Sequence, residues 1–428
     1  LTVLQLLKQN RSYRRLWMGQ VVSEIGDHFN NIAVLSLALE HTHSGLSAAL
    51  VMLARAVPAI MAGPLAGLSL DRLNRKYVMV TSDLARAVLA LGFIIAVPQH
   101  SNTVIYIFSA LLMFASPFFT SGRASILATI VTDEELHAAN SVTQITGWST
   151  LTIGAAAGGL TVASVGYQWA FVLNSLSFVV SAICVWGLVP ATGSFRVKRV
   201  VLSENDVVRP WHEYAEGLRY MVRTPLIMGL ALVGVGWATG GGAAQVLFSM
   251  FGELVFHMGP RGIGIIWSFA GLGLLIGGAV AFFLGPRLRF ESYKLTISIC
   301  YIIHGGCYVI FALMRNFELA LLFIMLSRAA VAVSSVLNMG QLLEHVDNRF
   351  RGRVFSTMES MQWSVMMLSM GATGFASSYT DPRTIGVYAG IASSMTAVGW
   401  AWANFTGRLP EPARQVPEEI EIHGDAVA

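Results

Sequence analysis

Gly67-Leu-Ser-Leu-Asp71-Arg72-Leu-Asn-Arg75-Lys76 stands between two long apolar runs, residues 45–70 and 77–97. Four charges within six residues cannot lie in hydrocarbon, where each would leave water without a partner. The stretch therefore reads as a short loop joining two membrane helices. Gly63 and Gly67, four apart, share one face of the incoming helix and would admit a neighbouring helix closely. Asp71 is within reach of Arg72, Arg75 or the partly positive start of another helix.

The rest of the chain agrees with that reading. Of 428 residues, 54% are hydrophobic and 12% charged, against about a quarter charged in soluble proteins. Cys184, Cys300 and Cys307 all lie in apolar runs, an odd set that points to neither a disulfide framework nor a metal site. The net charge of +4 is spread along the chain rather than gathered on a soluble domain, so no nucleic-acid partner is expected. Lys8, Arg11, Arg14 and Arg15 precede a first apolar run too long for a signal peptide and lacking a small-residue cleavage site. That run reads as a retained span.

A span takes about 20 residues. Twelve candidates lie near 15–39, 45–70, 77–97, 103–127, 138–164, 167–189, 225–250, 262–285, 293–314, 317–344, 352–378 and 384–406. The long polar segment 190–224 holds Trp211-His-Glu-Tyr-Ala-Glu-Gly-Leu-Arg-Tyr-Met221, which reads as an amphipathic helix on the membrane surface. Residues 407–428 are rich in Pro and Glu and read as a disordered tail. With both termini cytoplasmic, the inner loops and tails hold 22 of the 28 Lys and Arg and the opposite side three, which sets the orientation.

Shifting the second half back by 215 positions places Gly278, Ala281, Arg287 and Leu288 on Gly63, Ala66, Arg72 and Leu73. The same shift puts Val346, Ser356, Trp363 and Ser364 on Val131, Ser141, Trp148 and Ser149, and Gly241 on Gly26. A constant offset through several spans indicates an internal repeat. The expected fold is an all-α membrane protein with twelve transmembrane helices in two pseudo-symmetric six-helix halves, 1–189 and 225–406, joined by the 190–224 linker.

The small residues, acid and basic cluster of the 67–76 loop resemble the loop 2–3 signature of the major facilitator superfamily. Asn10-Arg-Ser-Tyr-Arg-Arg-Leu-Trp-Met-Gly-Gln20, Ser23-Glu-Ile-Gly-Asp27, Asp83-Leu-Ala-Arg86, Asp133-Glu-Glu-Leu-His-Ala-Ala-Asn-Ser141 and Arg351-Gly-Arg-Val-Phe-Ser356 look like its enterobactin-exporter and macrolide-efflux branch. The resemblance implies proton-driven export. Gly154-Ala-Ala-Ala-Gly158-Gly159 is similar to the superfamily's antiporter signature, with Ala155 where that signature has proline. Span four lacks the mid-helix arginine of drug–proton antiporters, Arg123 being placed at its cytoplasmic end.

The first span is unusually polar. At about 100° per residue, Gln20, Glu24, Asp27, His28 and Asn31 share one face. Ionisable groups inside a bilayer normally face a bundle interior or a water-filled path, so Asp27 or Glu24 is the expected proton carrier. The alternative is a structural polar cluster, and His28 reads equally well as a packing residue. Arg55 and Arg328 have uncharged repeat partners, Ala270 and Met113, so fold symmetry demands neither charge. Arg328 is expected to bind substrate, with Arg55, Gln20, His28 and Asn31 lining the substrate path, and Arg55 also to pair with Asp27 or take part in coupling. Glu359, whose repeat partner is Gln144, is expected as a gate residue pairing with inner loops or as a second coupling acid. Asp83 and Arg86 can pair at i,i+3 and brace the 67–76 loop, while Asp71 can dock near Arg351 and Arg353 ahead of span eleven.

These residues describe a secondary transporter of the bacterial inner membrane, a monomer among lipids; the resemblance implies that it exports a medium-sized amphipathic solute against proton influx. A lipid or lysolipid flippase is a rival, suggested by Met113, Phe114, Phe118 and Phe119; a non-transporting receptor on the same fold is another. There is no Gly-x-Ser-x-Gly, metal-spaced His/Cys set or nucleotide loop, so no enzyme activity, cofactor or metal is expected.

Overall fold

The structure is a computed structural model and describes residues 3–99, 101–191, 194–196 and 210–412. It is helical throughout. After α1 (Val3–Gln9), twelve long helices carry the chain: α2 (Arg11–Thr42), α3 (Gly45–Arg72), α4 (Arg75–Gly92, extended through a 3-10 turn into α5, Ala96–Gln99), α6 (Asn102–Ile130), α7 (Asp133–Val165) and α8 (Tyr167–Trp186). The second set is α10 (Pro225–Met250), α11 (Gly259–Leu284), α12 (Phe290–Leu313), α13 (Phe317–His345), α14 (Asn348–Ala376) and α15 (Pro382–Phe405), preceded by α9 (Pro210–Arg223). No strand forms among the described residues; one antiparallel bridge joins Asn74 to Arg196.

Nine of the twelve are long and apolar enough to cross a membrane by length and composition alone. The others are α2, with its polar stripe, α14, which opens on three arginines, and α15. Within each half the helices pack among themselves: α2 on α7 and α8, α4 on α6 and α8, α10 on α14 and α15, α12 on α13 and α15. The most extensive pairings between the halves are α7 with α11 and α3 with α14, and α2 and α3 also touch α10.

The helix starts are capped as their sequence suggests. Asn10 caps α2, accepting from the Tyr13 amide at 2.9 Å, while its Nδ2 donates to the Ile130 carbonyl and to Glu135. Glu135 closes a capping box with Thr132 at the start of α7, so the N-terminal stretch is tied to that loop. Asp381 caps α15; the Thr384 hydroxyl, then the amides of the first turn, hold its carboxyl below the usual range.

Two expectations change. The amphipathic segment is helical but seats its apolar side on α14: Tyr220 stacks on Phe350 with ring centres 4.9 Å apart, Met221 is buried, and Arg353 donates to Glu216 at 2.6 Å. Gly217 permits the approach, since a Cβ there would stand 2.7 Å from the Arg353 carbonyl oxygen. The tail begins in ordered contact: Leu409 is buried and its carbonyl accepts from Lys294 at 3.1 Å. Residues 413–428, the rest of the expected tail, lie outside the described residues.

Candidate functional site

The 67–76 loop marks one side of the molecule, the loop side. Asn74 caps α4, Arg75 donates to the Ser125 carbonyl at 3.0 Å, and Lys76 to the Leu188 carbonyl at 3.0 Å. These bonds clamp the loop to the ends of α6 and α8. Asp71 and Arg72 are exposed, and Asp71 forms no ion pair with a described residue. The expected docking of Asp71 at the start of α14 is therefore not made here: Arg351 donates to the Leu343 carbonyl and Arg353 to Glu216. Gly63 and Gly67 do not hold a neighbouring helix either, since a Cβ at either would meet nothing within 4 Å.

The reason is the conformation. At the far end of α3, a Cβ on Gly374 would collide with Ala49 and one on Gly45 with Met250 and Ser377. Further along, a Cβ on Gly371 would stand 3.9 Å from Leu53, and beyond that Gly63 and Gly67 are open. The two helices thus touch at the far side and part toward the loop side. Between α7 and α11 the backbones approach closely: a Cβ on Gly159 would lie 3.0 Å from the Gly264 Cα. Gly154 and Gly158 instead face α2, where their Cβ positions are 3.1 Å from His28 Cβ and 3.0 Å from Phe29 Cα. His28 is thereby packed between helices.

The polar stripe of α2 divides into two sites. Glu24 is an occupied acceptor, taking hydrogen bonds from Gln20 at 2.8 Å, Arg123 at 3.0 Å and Thr150 at 2.8 Å. Arg123, placed at the end of span four by the length rule, lies inside α6 and ties it through Glu24 to α2 and α7. Asp27, one turn on, has a buried Oδ1 with no hydrogen-bond partner. It does not pair with Arg55, which donates to Asn30 at 3.3 Å.

Asp83 and Arg86 do form an ion pair, buried on both sides, but it does not brace the Asp71 loop. The Arg86 guanidinium lies 4.7 Å from the Phe119 ring and 4.3 Å from the Phe178 ring, so the pair locks α4 between α6 and α8. Asn31 is half-buried and forms no hydrogen bond with a described residue.

In the second half, Arg328 is buried over Phe248, 5.0 Å from its ring centre, with Nε unpartnered. It does not line the cavity of about 490 Å³ in this half. That cavity is lined by α10, α12, α13 and α14, including Trp237, Asn338, Glu359, Gln362 and Trp363. Glu359 is exposed there and does not pair with the inner loops.

Four residues escaped the sequence reading. Ser36 donates to Glu253 at 2.9 Å, Tyr167 donates to Glu40 at 2.5 Å, and the two hydroxyls are 3.3 Å apart. The chain of contacts joins α2 and α8 to the π-helical turn Phe251–Val255 that extends α10. It fastens the far side. Its signal was an acid just past an apolar run, but the length rule ended span seven at 250 and left Glu253 outside.

Two six-helix sets, touching at one side and parted at the other around buried charges, define a membrane transporter. The chain belongs to the Major Facilitator Superfamily, whose sequence profile matches residues 16–370. It is 26% identical over 419 residues to the enterobactin exporter EntS of Escherichia coli O6:K15:H31, covering 95% of this chain and 91% of that protein. It is 27% identical over 298 residues to the MFS-type transporter YfiS of Bacillus subtilis (strain 168), covering 68% of each. Among solved structures, a bacterial homologue of the iron transporter ferroportin in an inward-facing state superposes with a TM-score of 0.69 at 17% identity, covering 91% of this chain and 98% of the other.

Proposed function

We propose that the chain exports a medium-sized amphipathic solute by alternating access, driven by protons moving inward. Residues 1–189 and 225–406 are the two rocking halves and 190–224 their linker. Both termini face the cytoplasm of a bacterial cell, following the Lys and Arg bias, so the parted loop side opens inward. The protein acts as a single copy surrounded by lipid.

The observation that carries this reading is Asp27. A buried carboxylate oxygen without a partner, one turn from the Asn30 that takes Arg55, lies between a fastened far side and a parted loop side. An intramembrane acid is costly to bury and is retained for function, and one whose acceptor is free can take and yield a proton as Arg55 approaches or withdraws. The likeness to an enterobactin exporter supports outward transport.

The test is solute-dependent proton movement in proteoliposomes carrying a trapped pH dye, with a siderophore, a macrolide and a lysolipid each offered in turn. Proton flux that appears only with solute, and is lost in Asp27→Asn, is the expected result. Lysolipid movement without proton flux would make the protein a flippase, and binding without turnover a receptor.

A further inference from the structure

The expected substrate anchor was Arg328, a cation suited to an anionic group. The geometry points to the opposite: the cavity of the second half is a binding site for an amphipathic organic cation, seated on Glu359 between Trp237 and Trp363. This rests on the transport reading above and names its substrate class.

The wall is built by one face of α14. Phe355, Glu359, Gln362, Trp363 and Met366 follow the i, i+4, i+7 spacing that puts them on one stripe. Opposite stand Trp237 of α10 and Asn338 of α13. Glu359 is the one acid or base among the described residues lining the cavity. It forms no hydrogen bond or ion pair with a described residue, so its charge is uncompensated. A cation entering gains an unshared carboxylate and two indole faces, the aromatic surface that favours cations most. An anion would meet repulsion without a compensating donor of positive charge.

One further feature narrows the ligand. The volume of about 490 Å³ falls within the range of drug-sized ligand sites, and the remaining wall is largely apolar, which fits a rigid hydrophobic body. Arg328 lies one turn away along α13 but turns toward Phe248, so it does not neutralise the site. The repeat partner of Glu359 is Gln144, so the charge belongs to this half alone.

The test compares two probes of the same shape and opposite charge. Equilibrium dialysis of the detergent-purified full chain against tetraphenylphosphonium and tetraphenylborate should show the cation bound tighter by about tenfold or more, each tenfold being about 1.4 kcal/mol. Glu359→Gln should erase that preference and Glu359→Asp keep most of it, with melting temperatures confirming that both variants are folded. Equal affinity for the two charged probes, or a preference unchanged in Glu359→Gln, overturns the assignment. Cation binding without flux would instead sink the transport reading and leave this site standing; flux without charge preference would do the reverse.

Discussion

Glu24 and Asp27 are one turn apart on α2, and their surroundings give them different work. Glu24 is the acceptor for Gln20, Arg123 and Thr150 and so ties α2 to α6 and α7. Removing one partner of such a part-buried network costs about 1–3 kcal/mol, so Arg123→Ala and Glu24→Gln should each lower the melting temperature in detergent. The double variant should lose less than the sum, because both remove the same bond. Asp27→Asn should barely move the melting temperature, since its Oδ1 has no bond to lose, yet it should abolish gradient-driven flux and spare downhill counterflow. A wild-type gradient response in Asp27→Asn would return coupling to Glu24. A helical wheel placed both acids on one face, but it could not separate them. Arg123, the residue that does so, is 99 positions away, and local periodicity carries no information about such partners. Arg328 shows the same limit: its charge was legible, while the Phe248 ring it lies over was not.

At the scale of elements, the apolar runs located the helices because each must cover its backbone polar groups in lipid. Their ends were less legible. The run read as 138–164 is α7, Asp133–Val165, and the first is α2, Arg11–Thr42, since helices continue past the hydrocarbon where the length rule stops. The π-helical turn after α10 has no sequence signature, and with it went the far-side fastening of Ser36 and Tyr167 to Glu253 and Glu40. That fastening must break for the far side to open. Ser36→Ala removes the hydroxyl that links α2 to Glu253, and Tyr167→Phe removes the donor to Glu40. Each should make a cysteine in place of Ser377, which faces Gly45 across the seam, react faster with a membrane-impermeant maleimide added outside, in a background without Cys184, Cys300 and Cys307. Labelling at the wild-type rate in the double variant would mean that the close packing of Gly45, Ala49 and Gly374 holds the far side by itself.

For the whole molecule, the offset of 215 made the two-half architecture legible, whereas the state it occupies was not. A transporter sequence has to encode both the parted and the closed arrangement, so no residue pattern selects one. The loop signature shows the consequence. Asp71 is exposed and unpaired with α3 and α14 parted, while the arginine it would meet on closure, Arg353, is held by Glu216 at 2.6 Å. In the proposed cycle, closing the loop side is a partner exchange in which Arg353 leaves the linker helix for Asp71. Each contact biases one state, and only such a differential contact can shift the balance between them. Glu216→Gln weakens the parted state and Asp71→Asn the closed one, so their effects should be opposite in sign. Spin labels on Leu68→Cys and Ser356→Cys, both exposed near the loop ends of α3 and α14, would report it as a distance distribution. The short-distance population should grow in Glu216→Gln and shrink in Asp71→Asn, and Asp71→Asn should slow flux while equilibrium binding stays within a few-fold. If both variants shift the distribution the same way, or if binding falls as steeply as flux in Asp71→Asn, the exchange does not occur and Asp71 belongs to the binding site.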